Sequence, residues 1–187
     1  MSDSAYWQQL QQACKLGERF AYLCFWGHTP KQAGHVDKSC LSQWYPAAFE
    51  VSEYRYATAE HYMIAQKALL FGDEAVFERI LQAAHPKEVK ALGRQVRHYQ
   101  PDVWEAQRFE IVKTANLAKF SQYADLQAFL LSTGKQVLVE ASPVDKIWGI
   151  GLAVDHAHAT QPPKWQGLNL LGFALMQVRV HLQNTEQ

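Results

Sequence analysis

The sequence predicts a predominantly helical single domain with a few short strands. Helical patterns fill the middle of the chain, strand patterns are confined to three short stretches, and 187 residues are enough for one domain. A chain of this size buries roughly 70% of the surface that it exposes when unfolded. We therefore expect an apolar core to hold the chain together without a disulfide or a metal.

The beginning of the chain predicts a helix followed by a buried strand. Residues 5–16 place apolar side chains near helical spacing, and Gly17 follows as a C-cap. Residues 19–26 are apolar and rich in aromatic side chains, which is the pattern of a buried strand. We interpret residues 1–18 as an N-terminal helical extension and residues 19–187 as the main domain.

A small hairpin is predicted to lead into the first helix of the main domain. Phe49–Val51 and Tyr54–Tyr56 alternate around the turn Ser52–Glu53. Thr58 follows as the N-cap of a helix, because its side chain can accept a backbone N–H of the first turn.

Helices are predicted to dominate the rest of the chain. The predicted helices are Glu74–Ala84, Pro86–His98, Asp102–Phe120, Leu126–Leu131 and Leu168–Leu182, and Gln136–Glu140 is a short strand. Pro86 suits the first helical position and Asp102 suits an N-cap. Gly172 is predicted to let the last helix pack closely.

An acid and an amine share one face of the helix that follows Thr58. Glu60 lies in the first turn, where the positive end of the helix dipole should keep it ionised. Lys67 returns to nearly the same face seven residues later. The alternative is that Glu60 only stabilises the helix, by roughly 0.3–1 kcal/mol, and that Lys67 is a solvated cation.

A loop in the second half of the chain combines an acid, an indole and glycines. Asp145 and Trp148 lie three residues apart, and Gly149 and Gly151 would let the backbone approach a ligand closely. The alternative is that Asp145 caps a turn beneath a packed indole.

Aromatic side chains accompany every segment that holds a candidate catalytic group. They are Trp26, Trp44, Tyr45, Tyr62, Trp148 and Trp165. Core packing is the commoner role for any one of them, whereas stacking on a base is worth about 1–3 kcal/mol. We expect Trp26, Trp44 and Trp148 to face a ligand.

Four basic residues would form one stripe on the helix predicted from Pro86. They are Lys87, Lys90, Arg94 and Arg97. A solvated charged face is one interpretation, and a phosphate-binding face is the other, with Arg94 as the best candidate because its guanidinium can bind bidentately.

Composition narrows the classes of function. The formal net charge is zero, which argues against a general nucleic-acid-binding surface and favours small anionic partners. Cys14, Cys24 and Cys40 have no Cys-x-x-Cys spacing, so we expect reduced thiols and no zinc site. The N-terminus does not resemble a signal peptide, and no apolar run approaches the roughly 20 residues of a membrane span. We expect a soluble cytoplasmic protein.

The pair His156 and His158 lies next to Asp155, but no third or fourth ligand is nearby in sequence. This is weak support for a metal site. We assign the pair to a surface loop.

Ordered blocks of sequence cover most of the chain, from about Phe25 to Leu182. Those in the first part are Phe25–Gly27, Leu41–Pro46, Thr58–Tyr62, Gln66–Lys67, Leu92–Arg94, Asp102–Glu105 and Ala118–Phe120. Those in the second part are Leu130–Gly134, Glu140–Gly151, Trp165–Gly172 and Leu175–Arg179. With these blocks the chain resembles the NADAR superfamily, typified by YbiA-like N-glycosidases of riboflavin intermediates.

The resemblance implies a compact, mostly helical α+β domain that cleaves N-glycosidic bonds without a metal or other cofactor. Glu60, Lys67, Asp145 and Trp148 fall on positions that look like the family's active site. Substrate contacts are expected from Trp26, Trp44, Tyr62, Arg94, Trp148, Gly149 and Asn169.

Two departures from the family pattern bear on the choice of substrate. The family usually has Ser-Asn-Phe where this chain has Ser42–Trp44, and an Asp-Gly turn where this chain has Ser52–Glu53. The resemblance implies either a ribosylamino-pyrimidine phosphate or ADP-ribose on guanine as substrate. We favour the small metabolite, so that nucleic acid would be a partner only as a modified substrate.

Two alternatives to direct hydrolysis are considered. Lys67 could attack the ribose as an amine nucleophile and form a Schiff base, if partial burial lowered its pKa. Alternatively, the protein could bind a nucleotide or ADP-ribose without catalysis, although a binder has little need for two acids and an amine together.

Overall fold

The computed structural model describes residues 4–185. In this range the chain forms seven α-helices: α1 (Ser4–Lys15), α2 (Ala59–Leu70), α3 (Glu74–Gln82), α4 (Pro86–Gly93), α5 (Pro101–Gln122), α6 (Ala124–Ser132) and α7 (Leu170–Thr185). The four strands are β1 (Tyr22–Phe25), β2 (Phe49–Val51), β3 (Tyr54–Tyr56) and β4 (Val137–Glu140). The predicted α+β class with predominant helix is confirmed.

The chain divides into two compact units, which we call the terminal unit and the central unit. The terminal unit contains the described residues up to Ser42 and from Asp125 onward, and the central unit is Gln43–Ala124. None of the helices within residues 4–185 is long and apolar enough to cross a membrane.

The terminal unit is built around two parallel strands. Tyr22 of β1 lies opposite Val137 of β4, and Phe25 lies opposite Glu140. Because parallel strands end at the same edge, the segments that follow β1 and β4 leave the sheet side by side. Helix α7 packs on β4, where a Cβ at Gly172 would collide with a β4 carbonyl, so the predicted close packing at this glycine is confirmed.

Helix α1 is anchored to the terminal unit. The indole N–H of Trp7 donates to the carbonyl of Pro162 at 3.0 Å, and the ring of Tyr6 stacks on Phe173 with centroids 5.7 Å apart. The predicted N-terminal helix is therefore packed against the segment that leads to α7.

The central unit is organised around α2, which packs against α3, α4 and α5. Strands β2 and β3 form the predicted hairpin, with Phe49 opposite Tyr56. Its turn has no glycine, and Ser52 adopts the left-handed conformation instead, with φ of 57°. The N-cap prediction is also confirmed, because the side chain of Thr58 accepts the N–H of His61.

The predicted C-terminal end of α4 is wrong. Helix α4 ends at Gly93 rather than His98, because the Arg94 N–H turns back to the carbonyls of Ala91 and Leu92. His98 itself has φ of 55°, which a helix cannot contain.

The start of α5 also differs from the prediction. Gln100 is the N-cap, Pro101 takes the first helical position and Asp102 lies within the first turn. Proline displaces the predicted cap because its fixed φ and missing N–H suit the first position.

Candidate active site

The residues proposed from the sequence fall into two groups. The central unit carries Trp44, Glu60, Tyr62, Lys67 and Arg94, and the terminal unit carries Trp26, Asp145, Trp148, Gly149 and Asn169.

Glu60 occupies the second position of α2 and is buried, with 5% of its surface exposed. Its backbone N–H donates to the carbonyl of Gln43 at 3.0 Å, so the chain before the hairpin holds the start of the helix. A carboxylate at this position benefits from the helix dipole. Glu60 is therefore an acid that is buried in the central unit at the positive end of the α2 dipole.

His61, the next residue, is held on both sides of its ring. Its Nε2 lies 3.1 Å from the carbonyl of Ala83, and its Nδ1 lies 2.8 Å from the hydroxyl of Thr58. A carbonyl can only accept, so Nε2 carries the proton and Nδ1 accepts from the hydroxyl. Burial lowers the pKa of His61, with a smaller opposing effect from the bond to Ala83.

The amine of Lys67, in the last turn of α2, contacts a backbone carbonyl and an aromatic ring. Its Nζ donates to the carbonyl of Gly93 at 2.8 Å and lies 4.2 Å from the centre of the Tyr99 ring. The ring of Trp104 is 5.8 Å away. Desolvation lowers the pKa of the half-buried amine, which is the direction that a nucleophilic lysine requires.

The predicted basic stripe does not form as one helical face. Lys87 and Lys90 lie in α4, Arg94 is its exposed C-cap, and Arg97 lies beyond the helix. Arg97 binds Asp73 through its backbone N–H and two guanidinium nitrogens, at 2.8–3.1 Å. These bonds from Arg97 hold the pKa of the Asp73 carboxyl well below its usual range.

The two aromatic candidates of the central unit differ in their surroundings. Trp44 is half-buried, with its ring edge-on to His85 at 6.0 Å. Tyr62 is buried against Tyr56, at 5.0 Å, and Phe49, at 6.1 Å. Burial raises the pKa of Tyr62. Tyr62 is thus a core residue of the central unit.

Asp145 organises the loop that follows β4. Its Oδ1 accepts the N–H groups of Ile147 at 2.9 Å and Trp148 at 2.8 Å, and its own N–H donates to Ser142 Oγ at 3.2 Å. This is the turn-capping geometry that the sequence left open as the alternative. It also fixes the backbone from which the half-buried Trp148 projects.

Gly149 permits close packing within the protein. A Cβ at this residue would lie 2.8 Å from the carbonyl of Glu140 and 3.0 Å from that of Asp145. The space left by the missing Cβ is therefore filled by the backbone carbonyls of Glu140 and Asp145, whereas we predicted that a ligand would approach Gly149 closely.

Asn169 ties β4 to the start of α7. It is fully buried with φ of 55°, its Oδ1 accepts the Glu140 N–H and its Nδ2 donates to the Leu138 carbonyl, both at 2.9 Å. The side chain fixes the end of β4, which is a structural contact that the sequence alone did not indicate.

Trp26 lies directly after β1 and exposes 57% of its surface. More than half of this large aromatic surface is therefore open to contact. Trp165, by contrast, is buried and its indole N–H donates to Ala159 at 2.9 Å, so it belongs to the core.

The central unit contains a buried pair of amides that the sequence does not predict. Asn116 Nδ2 donates to Gln43 Oε1 at 2.8 Å and to the Val112 carbonyl at 2.9 Å. Gln43 and Asn116 lie 73 positions apart, and no local pattern links them. Asparagine at a buried position of a long helix was the available signal, because such a residue needs partners.

Within the described part of the chain, no group of three or more histidine, cysteine, aspartate or glutamate side chains is placed to hold a metal ion. His156 and His158 are ring neighbours, 5.1 Å apart, on the loop that the sequence predicted.

The fold is shared with a protein of known structure. The NMR structure of the E. coli protein YbiA matches with a TM-score of 0.72 and 28% sequence identity, over 90% of this chain and 89% of that one. A family model described as the NADAR domain matches residues 24–183. The chain belongs to the NADAR family, and the resemblance noted in its sequence is confirmed.

Relatives with descriptive names support the assignment. The N-glycosidase R617 of Acanthamoeba polyphaga mimivirus is 45% identical over 166 residues, which is 84% of this chain and 94% of the relative. The riboflavin biosynthesis protein PYRR of Zea mays is 33% identical over 139 residues, which is 71% of this chain but 20% of that longer protein.

Proposed function

We propose that this protein hydrolyses the C1′–N bond of a ribosylamino-pyrimidine phosphate, an early intermediate of riboflavin synthesis. It is a hydrolase of N-glycosyl bonds, the class to which its relative R617 is assigned by name. The observation that carries the proposal is Glu60, an acid buried at the start of α2 within the matched family domain.

The chemistry follows from charge development at the ribose. As the C1′–N bond breaks, its electron pair leaves with the nitrogen and positive charge builds on C1′ and the ring oxygen. A carboxylate beside C1′ stabilises this oxocarbenium-like state or positions the attacking water. Water then adds to C1′ and the nitrogen takes up a proton, which yields ribose phosphate and the free amine. Glu60 is the proposed carboxylate, which stabilises the oxocarbenium-like state or positions the attacking water.

Asp145 is the second acid in the proposal. It would orient the ribose or help to protonate the leaving amine, a contribution that is typically about 10²–10⁴ in rate. Its observed bonds to the loop backbone agree with a carboxylate that is rigidly held. Trp148, the residue that it fixes, is proposed to contact the substrate.

The choice of a small substrate rests on charge and on one relative. Arg97 is paired with Asp73, which leaves Arg94, with Lys90, as the proposed phosphate contact and reduces the positive rim that a polymer would need. The relative PYRR carries riboflavin biosynthesis in its name. Both observations favour a ribosylamino-pyrimidine phosphate over ADP-ribosylated guanine.

Lys67 supports a second mechanism for the same reaction. Its lowered pKa would favour an amine that attacks C1′, expels the base and is released by water from a Schiff base.

A side-by-side assay tests the proposed substrate. Purified protein is incubated with a ribosylamino-pyrimidine phosphate and with DNA that carries ADP-ribosyl guanine, and the released products are followed by chromatography. We expect free base from the small substrate only. Release of ADP-ribose from DNA, with strong dependence on salt, would move the assignment to nucleic acid. Binding of either compound without cleavage would make the protein a non-catalytic module.

A further inference from the structure

The ammonium of Lys67 is held by a carbonyl and by aromatic rings rather than by an acid. Its Nζ donates to the Gly93 carbonyl at 2.8 Å and lies 4.2 Å from the centre of the Tyr99 ring. Within residues 4–185, no carboxylate forms an ion pair with this nitrogen. The positive charge of Lys67 is therefore not cancelled by an acid in this range, and it is available to a substrate.

Tyr99 is the closer of two aromatic contacts to this ammonium. A cation within about 6 Å of a ring centre is attracted by the negative face of the ring. Tyr99 lies well inside this limit, whereas the ring of Trp104, at 5.8 Å, lies close to it. An ammonium has three N–H groups. The Gly93 carbonyl takes one and the Tyr99 ring covers a second direction, which leaves the third for a substrate.

The chain segment that carries Tyr99 is itself fixed. Arg97 donates its backbone N–H and two guanidinium nitrogens to the carboxylate of Asp73, at 2.8–3.1 Å. His98 then has a left-handed φ of 55°, which costs energy in a residue other than glycine and persists only where the surroundings enforce it. After this turn, the ring of Tyr99 meets that of Phe71 edge-on, with centroids 5.4 Å apart. The position of the Tyr99 ring is therefore set by the fold of the central unit.

The contact depends on the ring of Tyr99 and not on its hydroxyl. Among the described residues, this hydroxyl has no hydrogen-bond partner. Tyr99 is also 42% exposed, so that a smaller side chain would not leave a closed cavity in the core. The effect of the ring on Lys67 can therefore be separated from an effect on folding.

We infer that Tyr99 is a positioning residue that holds the Lys67 ammonium in place for the substrate. The inference rests on the proposed function, because it takes Lys67 as part of the active site. The Gly93 carbonyl and the Tyr99 ring both stabilise the charged form of the amine. The same contacts favour Lys67 as a fixed cation over Lys67 as a nucleophile.

Two substitutions separate the ring of Tyr99 from its hydroxyl. Tyr99→Phe keeps the ring, whereas Tyr99→Leu keeps an apolar side chain and removes the aromatic face. With an aminopyrimidine riboside phosphate as substrate, we expect Tyr99→Leu to lower kcat/KM by about 3–30-fold, the range of one cation–π contact. Tyr99→Phe should stay within about twofold of the unmodified protein, because the ring remains.

Tyr54→Leu is the matched control. Tyr54 lies in the same unit and is 43% exposed, and its ring meets that of Phe77 edge-on at 5.0 Å. Among the described residues, no cation lies over the Tyr54 ring. We expect this variant to leave kcat/KM unchanged. An equal loss of activity in Tyr54→Leu and Tyr99→Leu would be a general effect of removing a surface ring and would overturn the inference.

The chemical reactivity of the Lys67 amine measures the contact without reference to catalysis. Each protein is labelled with a trace of acetic anhydride, and mass spectrometry compares acetylation of Lys67 with that of the exposed Lys87 and Lys135. We expect Tyr99→Leu to raise the relative reactivity of Lys67 by about threefold or more, because the amine is released from the ring. Tyr99→Phe and Tyr54→Leu should leave it unchanged. Equal reactivity in all four proteins would overturn the inference.

The kinetic and labelling measurements can fail separately. If Tyr99→Leu lowers kcat/KM but leaves the reactivity of Lys67 unchanged, Tyr99 acts on the substrate directly and the inference is wrong. If the reactivity rises but kcat/KM is unchanged, Lys67 has no part in the reaction and the positioning role is overturned. If the unmodified protein cleaves no riboside phosphate, the proposed reaction is wrong, while the labelling still decides whether Tyr99 holds the amine.

Discussion

The backbone N–H of Glu60 donates to the carbonyl of Gln43 at 3.0 Å, and the side chain of Gln43 bonds Asn116. One residue thus links the start of α2 to the middle of α5. Since the first N–H groups of a helix have no partner within it, this carbonyl satisfies the N–H of Glu60, while the N-cap Thr58 satisfies that of His61. The proposed catalytic acid is therefore fixed through its backbone by a residue that precedes the hairpin.

Replacing Glu60 by glutamine tests the proposed reaction directly. Glutamine keeps the size of the side chain but removes the charge that would stabilise the oxocarbenium-like state. We expect kcat to fall by at least about 10²-fold, while the affinity for ribose 5-phosphate stays within a few fold. Steady-state kinetics and calorimetry measure the two quantities.

Glu74→Gln provides the matched control, because Glu74 is also a first-turn acid but is exposed at the start of α3. We expect it to leave kcat unchanged. Full activity of Glu60→Gln would reduce Glu60 to a helix-stabilising carboxylate.

Two substitutions at Asp145 separate its charge from its turn-capping bonds. Asparagine retains an oxygen that can accept the N–H groups of Ile147 and Trp148, whereas alanine retains none. We expect Asp145→Asn to lose most of the activity with nearly unchanged thermal stability, and Asp145→Ala to lose both. Thermal melting and kcat/KM are measured on each variant.

Asp37→Asn serves as the control for Asp145. Asp37 caps the 3₁₀ turn Lys38–Leu41 by accepting the Ser39 N–H at 2.8 Å, and it has no proposed part in the reaction. We expect its activity to match the unmodified protein. An active Asp145→Asn would show that Asp145 acts only by holding its loop.

Local patterns predicted the features that depend on a few neighbouring residues. The sequence predicts Thr58 as a cap because the donor that it satisfies, the N–H of His61, lies only three residues away. The hairpin Phe49–Tyr56 was identified for the same reason, since alternation and a short turn are local properties.

Features that depend on distant partners were not predictable in the same way. The predicted basic stripe does not form, because α4 ends at Gly93 and Arg97, which lies beyond the helix, bonds Asp73, 24 positions earlier. The amide of Asn169, a predicted substrate contact, bonds the backbone of β4, about 30 positions away, and this contact is not visible in any local pattern. The Gln43–Asn116 pair depends on a contact of this long-range kind as well.

Borohydride trapping tests whether Lys67 forms a covalent intermediate. We expect no adduct, because the Nζ atom donates to the Gly93 carbonyl and lies over the Tyr99 ring. Under direct hydrolysis, Lys67→Arg should keep part of the activity, since a cation remains at this position. Mass spectrometry of protein treated with substrate and borohydride detects the adduct, and a substrate-dependent mass increase on Lys67 would replace water attack by the amine route.

The stability of the central unit should fall in mild acid because of His61. Burial lowers the pKa of this imidazole below its ordinary value of 6.5. Above pH 6.5 the ring is neutral in both the folded and the unfolded chain, so its full contribution to stability is present. Below this pH the unfolded chain binds a proton and the folded chain does not, until the lower folded pKa is reached. The free energy of unfolding therefore decreases as the pH falls through this window.

Thermal melting of the unmodified protein and of His61→Gln between pH 8 and pH 5 tests this effect. We expect His61→Gln to be less stable at pH 8, by about 1–3 kcal/mol, because Thr58 and Ala83 lose a well-placed partner. Its melting temperature should then change less with pH than that of the unmodified protein. His181→Gln, at an exposed position of α7, should keep the full pH dependence. If His61→Gln and the unmodified protein lose stability in parallel between pH 7 and pH 5, another group is responsible and the neutral ring assigned to His61 is wrong.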